Sequence, residues 1–266
     1  MRTQAFLSTL TGALLASSAF AADVTLSRPP VRVATPAPVI SLLSGDVSMY
    51  GGAVSYEPCC GSEGIFGGEG RFAWGLGSSM VLQGDVGGET LFDNGNGWSQ
   101  FGLTGHLYNR GMGGALGVKA GVGNSEPFMS YMFGVEGHLY MGGITLGAEI
   151  NNTWYSLIEE SAVQVRGLAR VYIDPNTRIQ LDASWWTGDV VDNNTWAFGA
   201  SAAHRLMGTP IDLNAGLRYD SDEVGHSFRG TVGLTFNFDM PGTTKMGHDR
   251  NNVVFDKFDL LRLQEK

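Results

Sequence analysis

The chain is poor in charge, in cysteine and in long apolar stretches. Charged residues make up 16% of its 266 residues, whereas a soluble domain usually has about a quarter. The formal net charge is −9, which argues against a nucleic-acid partner because such binding needs clustered basic residues. Beyond the N-terminal segment no stretch of about 18 apolar residues occurs. A helical membrane protein is therefore excluded.

The two cysteines, Cys59 and Cys60, are adjacent. Neighbouring cysteines form a disulfide only with strained geometry, and a redox or metal site usually needs a C-x-x-C spacing or more ligands. We interpret them as a pair at the tip of a loop, where they could form a disulfide either with each other or with a second molecule. The sequence predicts no metal site, no catalytic residue and no cofactor.

Residues 1–21 have the features of a secretory signal peptide. Arg2 gives a positive start, Ala5–Phe20 is apolar to small, and Ala19-Phe20-Ala21 forms a cleavage site. A transmembrane helix is disfavoured because Ser, Thr and Gly dilute the segment and no basic flank follows it. We expect an exported protein in which residues 22–44, which contain several prolines, form an extended periplasmic linker.

Glycine and alternating apolar residues are abundant. The chain has 39 glycines and 43% hydrophobic residues. In Ser227–Phe238, large apolar residues such as Leu234 and Phe236 alternate with polar ones such as Thr235, which is the period of a strand with two different faces. The same alternation recurs about twelve times along residues 45–238. It is typical of strands that lie between lipid and a polar interior.

The end of that strand, Thr231–Phe238, reads polar-x-Gly-x-x-Phe-x-Phe. It resembles the closing-strand signal of bacterial outer-membrane β-barrel proteins. The resemblance covers residues 45–238 and implies an all-β fold, namely a closed, antiparallel, up-and-down transmembrane β-barrel of about 12 strands. It also implies handling by the barrel-assembly machinery, contact with outer-membrane lipid and lipopolysaccharide, and a location in the bacterial outer membrane.

The predicted connections between strands alternate in length. The tight turns are Gly75–Gly77, Asn109–Gly113, Met141–Gly143, Asp174–Thr177 and Met207–Pro210. The mostly longer and more polar loops are Tyr56–Gly67, Thr90–Gly97, Gly123–Pro127, Tyr155–Ser161, Gly188–Asn194 and Asp220–His226. Because such barrels have short periplasmic turns and longer outer loops, this difference predicts that both termini lie in the periplasm.

Charged residues collect on the polar face of the strands, which would face the barrel interior. Those predicted to line a pore are Glu69, Arg71, Asp85, Lys119, Glu136, Glu149, Arg166, Arg170, Asp182, Arg218 and Arg229. Next to a wall of low dielectric, such charges must be paired or hydrated. One interpretation is a salt-bridged lumen that holds the shape of the barrel. The other is a constriction whose opposed charges set a transverse field for small polar solutes.

Aromatic residues sort to the ends of the strands. Those predicted at the membrane interface are Trp74, Trp98, Trp154, Trp185, Trp196, Phe236 and Phe238. We assign Tyr108, Tyr140 and Tyr172, beside the turns, and Trp186, beside a loop, to the same two girdles. Amphipathic rings favour both membrane interfaces, whereas a soluble sandwich has no reason to sort them in this way.

Residues 239–266 form a polar tail beyond the barrel. Within it, Val253–Leu263 has the spacing of a short amphipathic helix. Three placements are open to this tail: on the barrel surface, in the periplasmic mouth as a plug, or against a periplasmic partner.

A narrow, porin-like channel for the passive diffusion of small polar solutes is the function that these features favour. The alternatives are a structural or adhesive barrel without a pore, and a barrel hydrolase that modifies lipid. For a hydrolase the nearest serine and histidine are His226 and Ser227. Since neighbours on a strand point to opposite faces, this pair is badly placed to act as base and nucleophile.

Overall fold

The computed structural model describes residues 43–57, 61–93, 96–125, 128–156, 160–188, 191–221, 225–238 and 243–251. The predicted signal peptide, the Cys59-Cys60 pair and the predicted helix Val253–Leu263 lie outside these residues. So does the predicted linker, except for its last two residues.

Within this part of the chain, twelve strands and one short helix make up the regular structure. The strands are β1 (Ser44–Glu57), β2 (Gly61–Gly75), β3 (Met80–Asp93), β4 (Asn96–Gly111), β5 (Gly114–Ser125), β6 (Phe128–Met141), β7 (Ile144–Tyr155), β8 (Glu160–Asp174), β9 (Thr177–Gly188), β10 (Val191–Arg205), β11 (Ile211–Ser221) and β12 (His226–Asn237). The helix, α1, spans Lys245–Asn251. No helix among the described residues is long and apolar enough to cross a membrane.

The strands close into a single barrel. Each strand pairs antiparallel with its neighbours in sequence, and β1 pairs with β12. Phe236 lies opposite Val47, and the Phe238 amide donates a hydrogen bond of 2.8 Å to the Gly45 carbonyl. The predicted up-and-down barrel of about 12 strands is therefore confirmed, and Ser227–Phe238 belongs to the strand that closes it.

The barrel wall has apolar side chains on its outer face and polar side chains on its inner face, which is the opposite of the arrangement in a soluble protein. In β9, Ile179 and Leu181 point outward and are 40% and 57% exposed, whereas Gln180 between them points inward and is 5% exposed. All twelve strands expose large apolar side chains on the outer face in this way. Because side chains alternate along a strand, this arrangement gives an outer face suited to lipid and a polar lumen.

The strands are longer than the sequence predicted. β2 begins at Gly61 and β10 begins at Val191, so the strands take up much of the predicted loops Tyr56–Gly67 and Gly188–Asn194. About nine to eleven residues suffice to cross a bilayer. Strand ends that extend beyond the lipid need no apolar alternation, and their polar, glycine-rich sequences are therefore indistinguishable from loops.

The predicted difference in loop length is consequently wrong. At the end of the barrel where β1 starts and β12 finishes, between two and five residues separate consecutive strands. At the other end the number is between two and four. We call these ends the turn end and the loop end. Loop length no longer indicates which of them faces the periplasm.

Candidate functional site: the charged barrel interior

The structure places all eleven residues predicted to line a pore on the inner face of the barrel wall. Their side chains alternate with the exposed apolar residues of the same strands. They do not form one uniform lining. Six of them belong to a continuous network in the middle of the barrel, and Arg71, Arg218 and Arg229 form separate ion pairs near its two ends. Arg170 donates a hydrogen bond of 2.9 Å to Gln180, and Glu69 lies on the inner face of β2.

The central network is a chain of acids and bases in alternation, which we call the acid–base belt. It runs along the inner face from β3 to β9, and each of these seven strands contributes one residue. In order of contact its members are Asp85, His106, Glu136, Lys119, Glu149, Arg166 and Asp182.

His106 is held between two carboxylates at one end of the belt. Its Nε2 lies 2.9 Å from Asp85 Oδ2 and its Nδ1 lies 2.6 Å from Glu136 Oε1. The side chain of Gln83 donates a further hydrogen bond of 2.9 Å to Asp85. Two carboxylate partners require a donor at each ring nitrogen, which is the bonding pattern of the imidazolium ion. The geometry thus assigns His106 a positive charge.

Lys119 and Arg166 continue the alternation. Lys119 Nζ lies 3.6 Å from Glu136 Oε2 and also forms an ion pair with Glu149. Arg166 lies between two carboxylates: its Nη1 is 3.4 Å from Glu149 Oε1 and its Nε is 3.3 Å from Asp182 Oδ1. Lys119 is only 1% exposed. A charge at such a depth is tolerated only with close partners, so the belt holds itself together and fills the lumen along β3–β9.

The opposite side of the lumen carries small side chains. In the middle of β10, β11 and β12 the inner face presents Gly199, Ser201, Gly216 and Thr231, all only partly buried. A Cβ atom at Gly199 would lie 2.5 Å from Asp182 Oδ2, so this glycine makes room for the end of the belt. The lumen is therefore filled on one side and partly open to water along the inner face of β10–β12.

Two ion pairs flank the open side towards the loop end. Arg218 Nε lies 2.8 Å from Asp220 Oδ1, and their side chains are 22% and 34% exposed. Arg229 Nη1 donates to Glu89 Oε1 at 3.2 Å, and the Tyr50 hydroxyl donates to the same carboxylate at 3.1 Å. Because Arg229 is on β12 and Glu89 is on β3, this contact ties together strands that are not neighbours in the sheet.

Helix α1 lies in the mouth at the turn end. Lys245 Nζ is 3.3 Å from Asp212 Oδ2 and 2.8 Å from Asp249 Oδ1. Asp249 Oδ2 also accepts hydrogen bonds of 3.0 Å from Arg178 and from the Tyr172 hydroxyl. Lys245 and Asp249 are each 2% exposed. The helix is thus held by buried charges and not by an apolar face.

The second half of α1 reaches the other side of the mouth. His248 Nε2 lies 2.8 Å from Asp46 Oδ2, and Asp46 is also paired with Arg71 at 2.8 Å. Arg250 donates to Thr145 Oγ1 at 3.1 Å and to the Ile144 carbonyl at 2.7 Å. The Arg250 guanidinium also lies over the ring of Tyr140. Together with the contacts of Lys245 and Asp249, these contacts link α1 to six strands. The helix therefore lies across the mouth at the turn end.

The charges around α1 set the ionisation of Asp249. Burial on its own raises the pKa of this carboxyl. The cations of Lys245, Arg178 and Arg170 act in the opposite direction and prevail, so the pKa of Asp249 lies well below its usual range. Docking of the helix is therefore coupled to the ionised form of Asp249.

The aromatic residues follow the alternation of the strands more strictly than was predicted. On the outer face, Trp74, Trp154, Trp196, Phe236 and Phe238 are 41–49% exposed. Trp185 is half-buried beside Trp196, with ring centroids 6.1 Å apart. The side chain of Trp98 lies outside the described residues. The placement of this set at the membrane interface remains a prediction.

Four aromatic rings point inward, so their assignment to the girdles is wrong. Tyr108, Tyr172 and Trp186 are 1%, 7% and 1% exposed, and Tyr140 packs against Tyr108 inside the barrel. Their positions relative to outward residues of the same strands, such as Leu107, already placed them on the inner face. The assignment to the girdles was wrong because it considered only how near each ring lies to a strand end, and not the face on which it lies.

The predicted pore-lining set also left out several members of the site. His106, Glu89, Asp46 and Asp212 lie on the inner face and take part in its ion pairs. In the described part of the tail, residues 243–251, the helix is Lys245–Asn251. Its sequence, KMGHDRN, has no apolar periodicity, so nothing in it predicted a docked helix.

Comparison with known proteins places the fold. No family model matches the chain, and no curated protein matches it. Among solved structures, the barrel is similar to an outer-membrane channel from Pseudomonas putida F1, with a TM-score of 0.58 and 13% identity over 80% of this chain and 100% of that chain. NanC porin gives a TM-score of 0.57 and 8% identity over 71% of this chain and 98% of that chain.

A third similar structure is KdgM porin in complex with disordered oligogalacturonate, with a TM-score of 0.54 and 8% identity over 74% of this chain and 99% of that chain. All three are outer-membrane channels or porins. The protein therefore has the β-barrel fold that outer-membrane porins have. At identities this low the likeness is one of fold.

The belt predicts a large difference between two charge-removing substitutions. Lys119→Gln leaves Glu136 and Glu149 without their shared cation in a buried position, and should destabilise the folded barrel by about 3–5 kcal/mol. Arg218→Gln removes a partly exposed pair and should cost at most about 1 kcal/mol. Urea unfolding in lipid vesicles, followed by tryptophan fluorescence, measures both. Equal losses of stability would contradict a belt built on buried pairing.

Docking of α1 should depend on pH. Because the pKa of Asp249 is lowered in the docked state, docking is favoured above the ordinary carboxyl pKa of about 4 and is lost as the pH falls towards the lowered value. A spin label on Asn251→Cys, with Cys59 and Cys60 changed to Ser, should be immobile at pH 7 and gain mobility below about pH 4.

Two variants control this experiment. Asp249→Asn should make the label mobile already at pH 7, and Asp220→Asn, at the loop end, should leave the profile of the parent protein unchanged. A label that keeps the same mobility in the parent protein between neutral and strongly acidic pH shows that Asp249 does not control docking.

Proposed function

We propose that the protein is a narrow passive-diffusion channel for small polar solutes in the bacterial outer membrane, with its termini in the periplasm. The observation that carries the proposal is the unequal filling of the lumen. Long paired charges occupy the β3–β9 side, while small, partly exposed residues line the middle of β10–β12, with Arg218 and Arg229 beside them towards the loop end. A solute would pass along the β10–β12 side, with the belt acting as a fixed wall.

The charges beside this path suit polar solutes. Arg218 and Asp220 keep part of their side chains in water, and Arg229 with Glu89 presents a second pair of opposite sign. Charges of both signs across a narrow passage set a transverse field. Such a field favours dipolar and small charged solutes over apolar ones.

The plug helix gives the channel a closed state. Because α1 spans the mouth at the turn end, a path along β10–β12 is continuous only when α1 leaves its site. Apart from the stacking of Arg250 on aromatic rings, the docking contacts described for α1 are ion pairs and hydrogen bonds, so release exchanges buried ion pairs for hydration. The channel would therefore alternate between a plugged and an unplugged form of the same barrel.

The proposed location is supported by three features that do not depend on one another. The outer face of the barrel is apolar, the fold is that of known outer-membrane channels and porins, and residues 1–21 have the pattern of a secretory signal. In that setting β12 would be the strand presented to the barrel-assembly machinery, and lipid and lipopolysaccharide would contact the outer face. The tail beyond α1 is a candidate contact for a periplasmic partner.

A structural or adhesive barrel without a pore is the second candidate. It is favoured by the same belt and plug, because together they block much of the lumen. A hydrolase gains no support at its nearest serine and histidine. Along β12, Ser227 lies on the inner-facing register and His226 on the outer-facing one, where its ring is 6.0 Å from that of Tyr219.

Recordings from single barrels in planar bilayers separate a channel from a structural barrel. The parent protein should give rare, brief conductance steps, and Asp249→Asn should raise the open probability several-fold because it loosens the plug. Asp220→Asn is the matched control: it removes one carboxylate beside the path, so it should alter ion selectivity and leave the open probability unchanged.

Folding must be verified independently, by the altered gel mobility of the heated sample. If folded barrels of both the parent protein and Asp249→Asn show no conductance steps, the channel is ruled out and the structural barrel is the better account.

A further inference from the structure

Arg110, near the end of β4, is a buried cation that the belt and the plug do not use. It is 5% exposed, and neither Nη1 nor Nη2 has a hydrogen-bond partner among the described residues. Its backbone amide is satisfied by the Ser79 carbonyl at 2.8 Å. The unsatisfied part is therefore the guanidinium group, which lies on the inner face at the turn end.

The hydroxyl of Tyr140 is unpaired in the same region. It is buried and has no hydrogen-bond partner among the described residues. The two side chains are neighbours through Ala115, which is the direct cross-strand partner of Arg110 and belongs to the apolar cluster against which Tyr140 packs. Two buried donors without acceptors thus lie together.

The surroundings of this pair are positively charged. The Arg250 guanidinium of α1 lies 5.2 Å from the centre of the Tyr140 ring, and Arg170 is close enough to act on the Tyr140 hydroxyl electrostatically. The nearby carboxylate of Asp249 is already bound by Lys245 and Arg178. No carboxylate of the described residues forms an ion pair with Arg110.

We propose that Arg110 and Tyr140 bind a small oxyanion, a carboxylate or a phosphate, at the turn end beside α1. A buried guanidinium strongly favours an anionic partner, and its planar fork fits two oxygens of one oxyanion. The Tyr140 hydroxyl supplies a third donor. The described part of the barrel provides no acceptor for any of these groups, so the acceptor comes from elsewhere.

A bound anion would also act on the plug. Because Arg250 stacks on Tyr140, an anion beside Tyr140 attracts the Arg250 guanidinium, and this attraction favours the docked state. By linkage, a docked α1 then raises the affinity for the anion. The site itself does not require that the barrel conducts, so it stands or fails separately from the proposed channel.

The full-length protein in detergent, titrated with inorganic phosphate and separately with acetate, tests the site by calorimetry. We expect saturable binding of at least one of the two anions and a rise in the thermal unfolding temperature, since a ligand of the folded state stabilises it. Arg110→Gln should weaken binding at least tenfold, Tyr140→Phe several-fold, and Arg218→Gln, at the loop end, not at all.

The same variants supply the outcomes against the proposal. Absence of binding of either anion to the folded parent protein overturns it, as does equal binding by Arg110→Gln. The unfolding temperature shows that each variant is folded, and Arg110→Gln should no longer respond to the anion. A chain that ends at Asn251 provides a further test: tighter binding there means that a carboxylate of residues 252–266 competes for Arg110, which overturns a free anion as the native occupant.

Discussion

The structure depends on the pairing of charges that the lumen removes from water. Lys119 illustrates the constraint, because it is almost fully buried and is tolerated only by virtue of its two carboxylate neighbours. The belt extends this rule over seven consecutive strands. Since each member pairs with the next, one half of the lumen becomes a wall of buried, paired charge.

The rest of the interior follows from that wall. Small residues on β10–β12 leave the remaining space, and Gly199 meets the end of the belt where any side chain would collide with Asp182. At the turn end the same rule governs the docked helix. Helix α1 brings its own charges, and they complete pairs with Asp46 and Asp212 that are fully buried when it is docked.

Much of the barrel was predictable because apolar and polar side chains alternate with a period of two along each strand of a membrane barrel. That period predicted the two-faced strands and the inner position of residues such as Glu149 and Arg166, and the resemblance of the last strand to a closing-strand signal implied the closed barrel. The same period places Tyr108 and Trp186 on the inner face. Their assignment to the girdles was wrong because it used only their position near a strand end. Loop lengths failed because strand ends beyond the lipid need no apolar face. The docking of α1 was beyond reach, since pairs such as His248 with Asp46 join residues 202 positions apart.

The central claim is that the lumen is filled on the β3–β9 side and open to water along β10–β12. The reaction of single cysteines with a small, charged thiol reagent in folded barrels tests it most directly, with Cys59 and Cys60 changed to Ser. The account predicts that Ser201→Cys and Thr231→Cys react rapidly, whereas Gln164→Cys, on the inner face of β8 and fully buried, is protected. Equal reaction at all three positions, or faster reaction at residue 164, would contradict it.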